Sequence, residues 1–295
     1  MSARALPEVT GVSHREVDLE GVRVHVAEAG DGPPLLLLHG WPQHWWSWRR
    51  LIPRLARRYR VIAVDLRGWG WSSAPAGDYA KSTFAGDVIA LLDAEGLDRV
   101  RVMGHDWGGY VALLLGLDHA ERLERLVALD VAPPWPVRPR PRHLGLPALA
   151  SYQALVATPW IGPRTMTSGP HLVRTLIRRG SGPDAEWSDE ELDVYADVLR
   201  ERARADASSA CYRTFLTREL PARLLRGDRS GELTVPSLLL MGGASPLHRV
   251  MDPRPSRNLR VEAIPRAGHF LPEEAPAAVL EHALPFLAGR PAADA

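Results

Sequence analysis

The chain has 295 residues, of which 45% are hydrophobic and 24% charged, with a formal net charge of +1. This length suits one large α/β domain or a domain with an inserted lid, and the near-neutral balance gives no reason to expect a charge-driven partner such as nucleic acid or an acidic membrane surface. The single cysteine, Cys211, excludes an internal disulfide framework and fits a reducing compartment.

The first residues, MSARALPEVTGVSHREVDLEG, hold no apolar stretch of the kind a secretory signal needs. No run approaches the ~18 apolar residues that span a bilayer. A soluble, cytoplasmic chain is expected. Lys81 is the one lysine, and arginine carries the rest of the positive charge.

In chain order, His14–Leu19 and Val22–Glu28 read as two antiparallel strands joined at Glu20-Gly21. Leu35–Leu38 is a continuous apolar run, the texture of a strand covered on both faces. His39-Gly40-Trp41-Pro42 ends it, and a helix is predicted over Trp45–Arg57. Val61–Val64 is the next buried strand, leading into Asp65-Leu-Arg67-Gly68-Trp-Gly70-Trp-Ser72. Its Gly-x-Gly lacks the spacing and the following helix of a dinucleotide site. Thr83–Glu95 reads as an amphipathic helix, Val100–Met103 as a strand, the stretch from Tyr110 as a helix, and Leu126–Leu129 as a strand ending at Asp130.

From Pro133 the texture changes. Pro133-Pro-Trp-Pro-Val-Arg-Pro-Arg-Pro-Arg reads as a hinge out of the sheet. Helical signals follow at Leu144–Ala157, His171–Arg179, Ser188–Arg204, with a capping box at Ser188-Asp-Glu-Glu191, and Ser208–Glu219. Strands return at Val235–Met241 and Arg260–Ile264, before a last helix from Glu273 to Leu287. Strands alternating with helices imply an α/β fold with a mainly parallel, doubly wound sheet. The helical block is expected to be a cap over the sheet's C-terminal edge, where active sites of such sheets lie. The expected division is core over 1–133, helical cap over 134–230 and core again over 231–295.

Between the Val100–Met103 strand and the helix from Tyr110 lies Gly104-His105-Asp106-Trp107-Gly108-Gly109, the Gly-x-nucleophile-x-Gly spacing of a strained strand-to-helix turn. The central residue is aspartate, not serine. A carboxylate attacking an alkyl carbon forms an ester that activated water can cleave, whereas serine would leave an inert ether. Asp106 therefore points to C–O or C–halogen cleavage through an alkyl-enzyme. Aspartate is also a favoured N-cap, and the partners elsewhere in the chain weigh against that reading. Gly268-His269-Phe270 follows the last strand, on the same sheet edge, so His269 is expected to activate the water that cleaves the ester. An oxyanion hole is expected from the backbone N–H groups of Trp107 and Trp41, with His39 alongside. His105 reads as a support of the turn, His44 as a weak pocket candidate, and His14, His119, His171 and His282 as surface residues.

Taken together, His-Gly-Trp-Pro, Asp-x-Arg-Gly-x-Gly-x-Ser, Gly-His-Asp-Trp-Gly-Gly and the late Gly-His-Phe resemble the α/β-hydrolase superfamily, over about residues 20–288. More narrowly they resemble its epoxide hydrolases, an aspartate-nucleophile branch that shares its elbow with haloalkane dehalogenases. The resemblance implies no cofactor and no metal, a small apolar epoxide as substrate, and two cap tyrosines that hold the epoxide oxygen. Tyr152-Gln153 in SYQALVATPW resembles the first tyrosine motif and Tyr212-Arg213 in ACYRTF the second. A fluoroacetate dehalogenase would be expected to carry arginine after the nucleophile, where this chain has Trp107. Neither nucleic acid nor membrane is an expected partner, and the chain is expected as a monomer or homodimer.

One place departs from the family pattern. The relay acid of Gly-x-x-Asp-Pro is replaced in Gly242-Gly-Ala-Ser245-Pro246 by serine, which cannot stabilise an imidazolium as a carboxylate does. Asp130, at the tip of the preceding parallel strand, is the first candidate to partner His269, and Asp252 the second. A haloalkane dehalogenase and a catalytically silent binder with the same apolar pocket are the alternatives, the silent binder drawing its support from Ser245.

Overall fold

A computed structural model describes residues 5–136, 138–139, 146–222 and 232–289. Its main sheet has eight strands: β1 (Ser13–Leu19), β2 (Val22–Ala29), β3 (Pro34–Leu38), β4 (Arg60–Val64), β5 (Val100–His105), β6 (Leu123–Leu129), β7 (Ser237–Gly242) and β8 (Leu259–Ile264). Their spatial order is β1-β2-β4-β3-β5-β6-β7-β8. The β1–β2 and β2–β4 pairings are antiparallel, and every pairing from β4 onward to β8 is parallel.

The alternation of a strand explains the unbroken leucine run of β3. Leu36 and Leu38 enter one buried cluster with the helices Lys81–Ala94 and Trp107–Asp118, while Leu35 and Leu37 enter a second with the helix Pro276–Leu287. All four leucines are fully buried, so at ~2 kcal/mol per side chain this strand anchors both layers of the core.

Several helices differ from the sequence reading, each for a local or tertiary reason. The helix predicted over Trp45–Arg57 is instead a short tight turn, Trp45–Trp48, and a one-turn helix, Ile52–Leu55. Pro53 lacks an amide donor, so it is tolerated in a first turn and not in a helix interior. Pro276 likewise divides the last predicted helix into Leu271–Glu274 and Pro276–Leu287. The helix predicted from Ser188 stops at Val198, and a new one, Arg202–Thr214, runs through the predicted gap before Ser208. Nothing in local propensity marks that break. It lets both segments bury a face, Leu192 and Tyr195 on one and Ala205, Ser208 and Tyr212 on the other, an instance of packing overriding propensity. The capping box at Ser188 forms as expected, and Ile161–Thr167 is an additional helix. The Leu144–Ala157 prediction corresponds to Leu146–Ala157, its first two residues lying outside those described. Val137 and residues 140–142 of the Pro133–Arg142 hinge likewise lie outside the described residues.

The helices between β6 and β7 bring Tyr152 and Tyr212 against Trp41 and Trp107, which follow β3 and β5. The C-terminal edge of the sheet is thus covered. No helix among the described residues is long and apolar enough to cross a membrane.

Candidate active site

β5 ends at His105, the helix begins at Trp107, and Asp106 between them has φ +51° and ψ −120°. A non-glycine residue held there is strained, and close packing on both sides imposes it. A Cβ on Gly108 would lie 2.0 Å from the Leu38 carbonyl oxygen, and one on Gly40 would lie 2.3 Å from Cβ of Asp106. Glycine alone lets the helix start sit on the end of β3 and lets the His39–Pro42 loop sit against the aspartate. The Asp106 side chain makes no capping hydrogen bond to its helix. Its Oδ1 accepts the Trp41 amide N–H at 3.0 Å, and the nearby Trp107 N–H adds to what keeps the carboxyl ionised. The two amides expected to form an oxyanion hole thus converge on one carboxylate.

His269 stands between two acids. Its Nε2 is 3.4 Å from Asp106 Oδ2, and its Nδ1 donates to Asp130 Oδ2 at 2.6 Å. Asp130 is fully buried at the tip of β6, with φ +39°. Its Oδ1 accepts the Gly242 N–H at 2.9 Å and its Oδ2 the Ser245 hydroxyl at 2.6 Å. Of the two candidate acids, Asp130 therefore pairs with His269; the side chain of Asp252 lies outside the described residues. Burial opposes charge on His269, but hydrogen bonds to Asp106 and Asp130 and their charges outweigh it and raise its pKa. Burial likewise works against the Asp106 carboxylate, yet the hydrogen bond and charge of His269 hold it below the usual range.

Above this pair sit the aromatics. Tyr152 stacks parallel to Trp41, Tyr212 meets Trp41 and Trp107 edge-on, and the two tyrosine rings are 6.0 Å apart. The Tyr212 hydroxyl hydrogen-bonds that of Tyr152, which Gln153 also meets. Burial, with the nearby Asp106 charge, pushes Tyr152 up to about 12 and Tyr212 well above its usual value, so both keep their protons. Ser208, one turn before Tyr212, accepts the indole N–H groups of Trp41 at 3.1 Å and Trp69 at 3.0 Å. One hydroxyl thus fastens the tyrosine-bearing helix to two core loops.

Five histidines differ from their sequence reading. His119 and His282 are half-buried and not surface residues. His39 turns away from a pocket role: its Nδ1 bonds the Gly40 carbonyl and its Nε2 accepts the Leu66 N–H at 3.0 Å, tying the loops after β3 and β4. His44 packs against Trp71 and Tyr195, with Nε2 at 3.3 Å from the Val194 carbonyl. His14 is half-buried, not a surface residue, with its Nδ1 at 3.1 Å from His25 Nε2. His105 donates from Nε2 to the His269 carbonyl at 2.8 Å, and burial followed by the His269 charge lowers its pKa to about 4, so it supports the histidine loop as a neutral ring.

Sequence reasoning also missed Lys81, Glu219 and Asp65. The fully buried Lys81 ammonium pairs with Glu219 at 2.6 Å and lies 4.3 Å from the Trp107 ring centroid. Its signal was its solitude among so many arginines: a compact ammonium enters a closed space that a planar fork does not. Asp65, the first residue of Asp-x-Arg-Gly, accepts the Trp45 and Trp71 amides at 2.7 and 2.8 Å and the His25 ring at 2.8 Å. That motif braces loops beneath the site. Among the described residues, no group of three or more His, Cys, Asp or Glu side chains is arranged to hold a metal ion.

A strand-to-helix elbow carrying a carboxylate, a histidine after the last strand and an acid at a strand tip are the parts of a hydrolase site. The family model for the alpha/beta hydrolase fold matches residues 33–276; the chain belongs to that family and is a hydrolase. It is 35% identical to the soluble epoxide hydrolase of Corynebacterium sp. (strain C12), covering 95% of this chain and 98% of that protein. It is 30% identical to the fluoroacetate dehalogenase of Burkholderia sp., covering 90% of each. The solved structure of the epoxide hydrolase CorEH without ligand matches with a TM-score of 0.79 at 32% identity, over 94% of this chain and 99% of that one.

Proposed function

We propose that this hydrolase opens a small apolar epoxide to a vicinal diol, without a cofactor, in the cytoplasm, with residues 134–230 acting as the cap. The observation that carries the reading is the pair of protonated, mutually bonded tyrosines, Tyr152 and Tyr212, facing an ionised Asp106. Ring opening expels an alkoxide, a poor leaving group that needs a proton. Halide leaves as a stable anion and needs none.

In the proposed sequence, Asp106 attacks a ring carbon, the C–O bond breaks, and the alkoxide takes a tyrosine proton. Ester formation removes the Asp106 charge, one of the two that hold the His269 proton, so the ring's pKa falls and its extra proton passes to the tyrosinate. That transfer restores the tyrosine hydroxyl and leaves His269 neutral, able to act as a base. His269 then takes a proton from water, whose oxygen adds to the Asp106 carbonyl carbon. The Trp41 and Trp107 N–H groups, already within reach of the carboxylate, stabilise the resulting oxyanion. Collapse releases the second alcohol, protonated by His269. The regenerated acid of Asp106 then returns its proton to His269, which restores the resting carboxylate and imidazolium.

The relative named for fluoroacetate dehalogenation prompts a second reading. A haloacid carboxylate calls for a cation beside the nucleophile, and the residue in that place is Trp107. The silent binder drew its support from Ser245, and the buried Asp130 beside His269 removes that support. The test is a parallel assay of styrene oxide, 1-bromobutane and fluoroacetate. Diol from the epoxide with negligible halide release is expected; halide release without diol overturns the reading.

A further inference from the structure

The residue at the departed relay position has a partner. Ser245 is fully buried, and its Oγ lies 2.6 Å from Asp130 Oδ2, the same oxygen that receives the His269 Nδ1 proton at 2.6 Å. Its lone pair is engaged by the Leu247 N–H at 3.1 Å, which leaves the hydroxyl proton for Asp130. Backbone hydrogen bonds from Ser245 N–H to the Gly242 carbonyl and from Ala244 N–H to the Ala267 carbonyl hold the loop against the histidine loop.

We propose that Ser245 is a positioning residue for the second half-reaction: its hydroxyl holds the buried Asp130 carboxylate aimed at His269 while the ester on Asp106 is hydrolysed. The proposal rests on the epoxide-hydrolase reading above. The argument turns on what compensates Asp130 in each state. In the resting site the protonated His269 neutralises it. Once the ester forms, His269 must be neutral to accept a proton from water. Among the described residues, Asp130 is then a fully buried anion held by three dipoles: the His269 Nδ1–H, the Gly242 N–H and the Ser245 O–H. A buried carboxylate stripped of one donor is costly and poorly aimed. Ring opening asks nothing of this group, because Asp106, Tyr152 and Tyr212 stand on the other side of His269. Serine here does the work of solvent for an acid placed one strand away.

The test is rapid-quench mass spectrometry of the full chain with styrene oxide, comparing wild type, Ser245→Ala and Ser245→Thr. The expected result is that Ser245→Ala forms the Asp106 ester at the wild-type rate but hydrolyses it about 10- to 100-fold more slowly. The ester therefore accumulates, and Ser245→Thr, which keeps the hydroxyl, restores its decay. Equal decay in wild type and Ser245→Ala overturns the proposal, as does an equal slowing of both steps, which marks a general structural loss. A second measurement needs no substrate. The low-field proton resonance of the His269 Nδ1–H should shift in Ser245→Ala and return in Ser245→Thr, and an unmoved resonance overturns the proposal. A wild type that yields neither ester nor diol contradicts the functional reading instead, leaving the resonance to decide on Ser245.

Discussion

The elbow and the helical segment above it hold their reactive groups by different means. At the elbow, position comes from close backbone approach: Gly108 lets the helix start meet the Leu38 carbonyl and Gly40 lets its loop meet the Asp106 side chain where any Cβ would collide, and Asp106 is locked in a strained conformation between β5 and its helix. In the helical segment, position comes from polar side chains reaching across to the core. Ser208 takes two indoles, Lys81 takes Glu219, and Arg49 joins Glu191, Glu273 and Tyr195. Packing of the first kind is all or none, because interiors have almost no compressibility. Ties of the second kind can be removed one at a time. Asp106 is therefore fixed by main chain, and the tyrosines by ties that single substitutions can remove.

The comparison breaks most severely at Gly108. Gly108→Ala drives a methyl group into the Leu38 carbonyl, and we expect a loss of at least ~3 kcal/mol or failure to fold, read by urea unfolding. A near-neutral result would mean that the elbow is looser than its geometry states.

Next comes the tyrosine pair. Tyr152→Phe with Tyr212→Phe should cost ring opening about 10³-fold or more, as a loss of acid catalysis does. Each single change should cost about 10- to 100-fold. Thermal unfolding should barely move, since the rings keep their packing. A double variant with intact ring opening would remove the tyrosines from the chemistry.

Lys81→Met leaves Glu219 largely buried without its cation and should destabilise by roughly 2–4 kcal/mol, less than for a fully buried pair because Glu219 retains some solvent contact. Lys81→Met with Glu219→Leu should recover most of that loss. If both variants instead keep full stability while ring opening falls, the tie holds the tyrosines and not the fold.

The smallest effect is on pH. Ring opening needs Asp106 ionised and the tyrosines protonated; the first has a lowered pKa and Tyr152 a pKa of about 12. Its rate should be flat between roughly pH 5 and 9. Stability carries the opposite signature through His269, whose pKa in the folded chain, about 10, exceeds the 6.5 of a free imidazole side chain. Its contribution is fully present below the unfolded value and is lost as pH rises through about 10. Asp130→Asn should flatten that alkaline loss.

The same division decides what the sequence disclosed. Features held by backbone have a grammar: glycine spacing marked the elbow, apolar runs marked the buried strands, and Asp130 was visible as the polar residue closing one of them. Even the departure at Ser245 was legible as a place where a carboxylate was missing. What joins the helical segment to the core has no such grammar. The partnership of Ser208 with Trp41 spans 167 residues and that of Lys81 with Glu219 spans 138, and neither leaves a local pattern. His39 shows the opposite error: a residue inside a strong motif whose ring nitrogens are both spent on backbone. The break between Val198 and Arg202 was hidden because only burial on two faces requires it.

The central claim, that Asp106 is an alkylated nucleophile, is tested most directly by acid-quenched mass spectrometry after a short pulse with styrene oxide. The account predicts a transient adduct of substrate mass mapped to Asp106, followed by diol. Diol formed with no adduct at any quench time, and at an undiminished rate in Asp106→Ala, would contradict it.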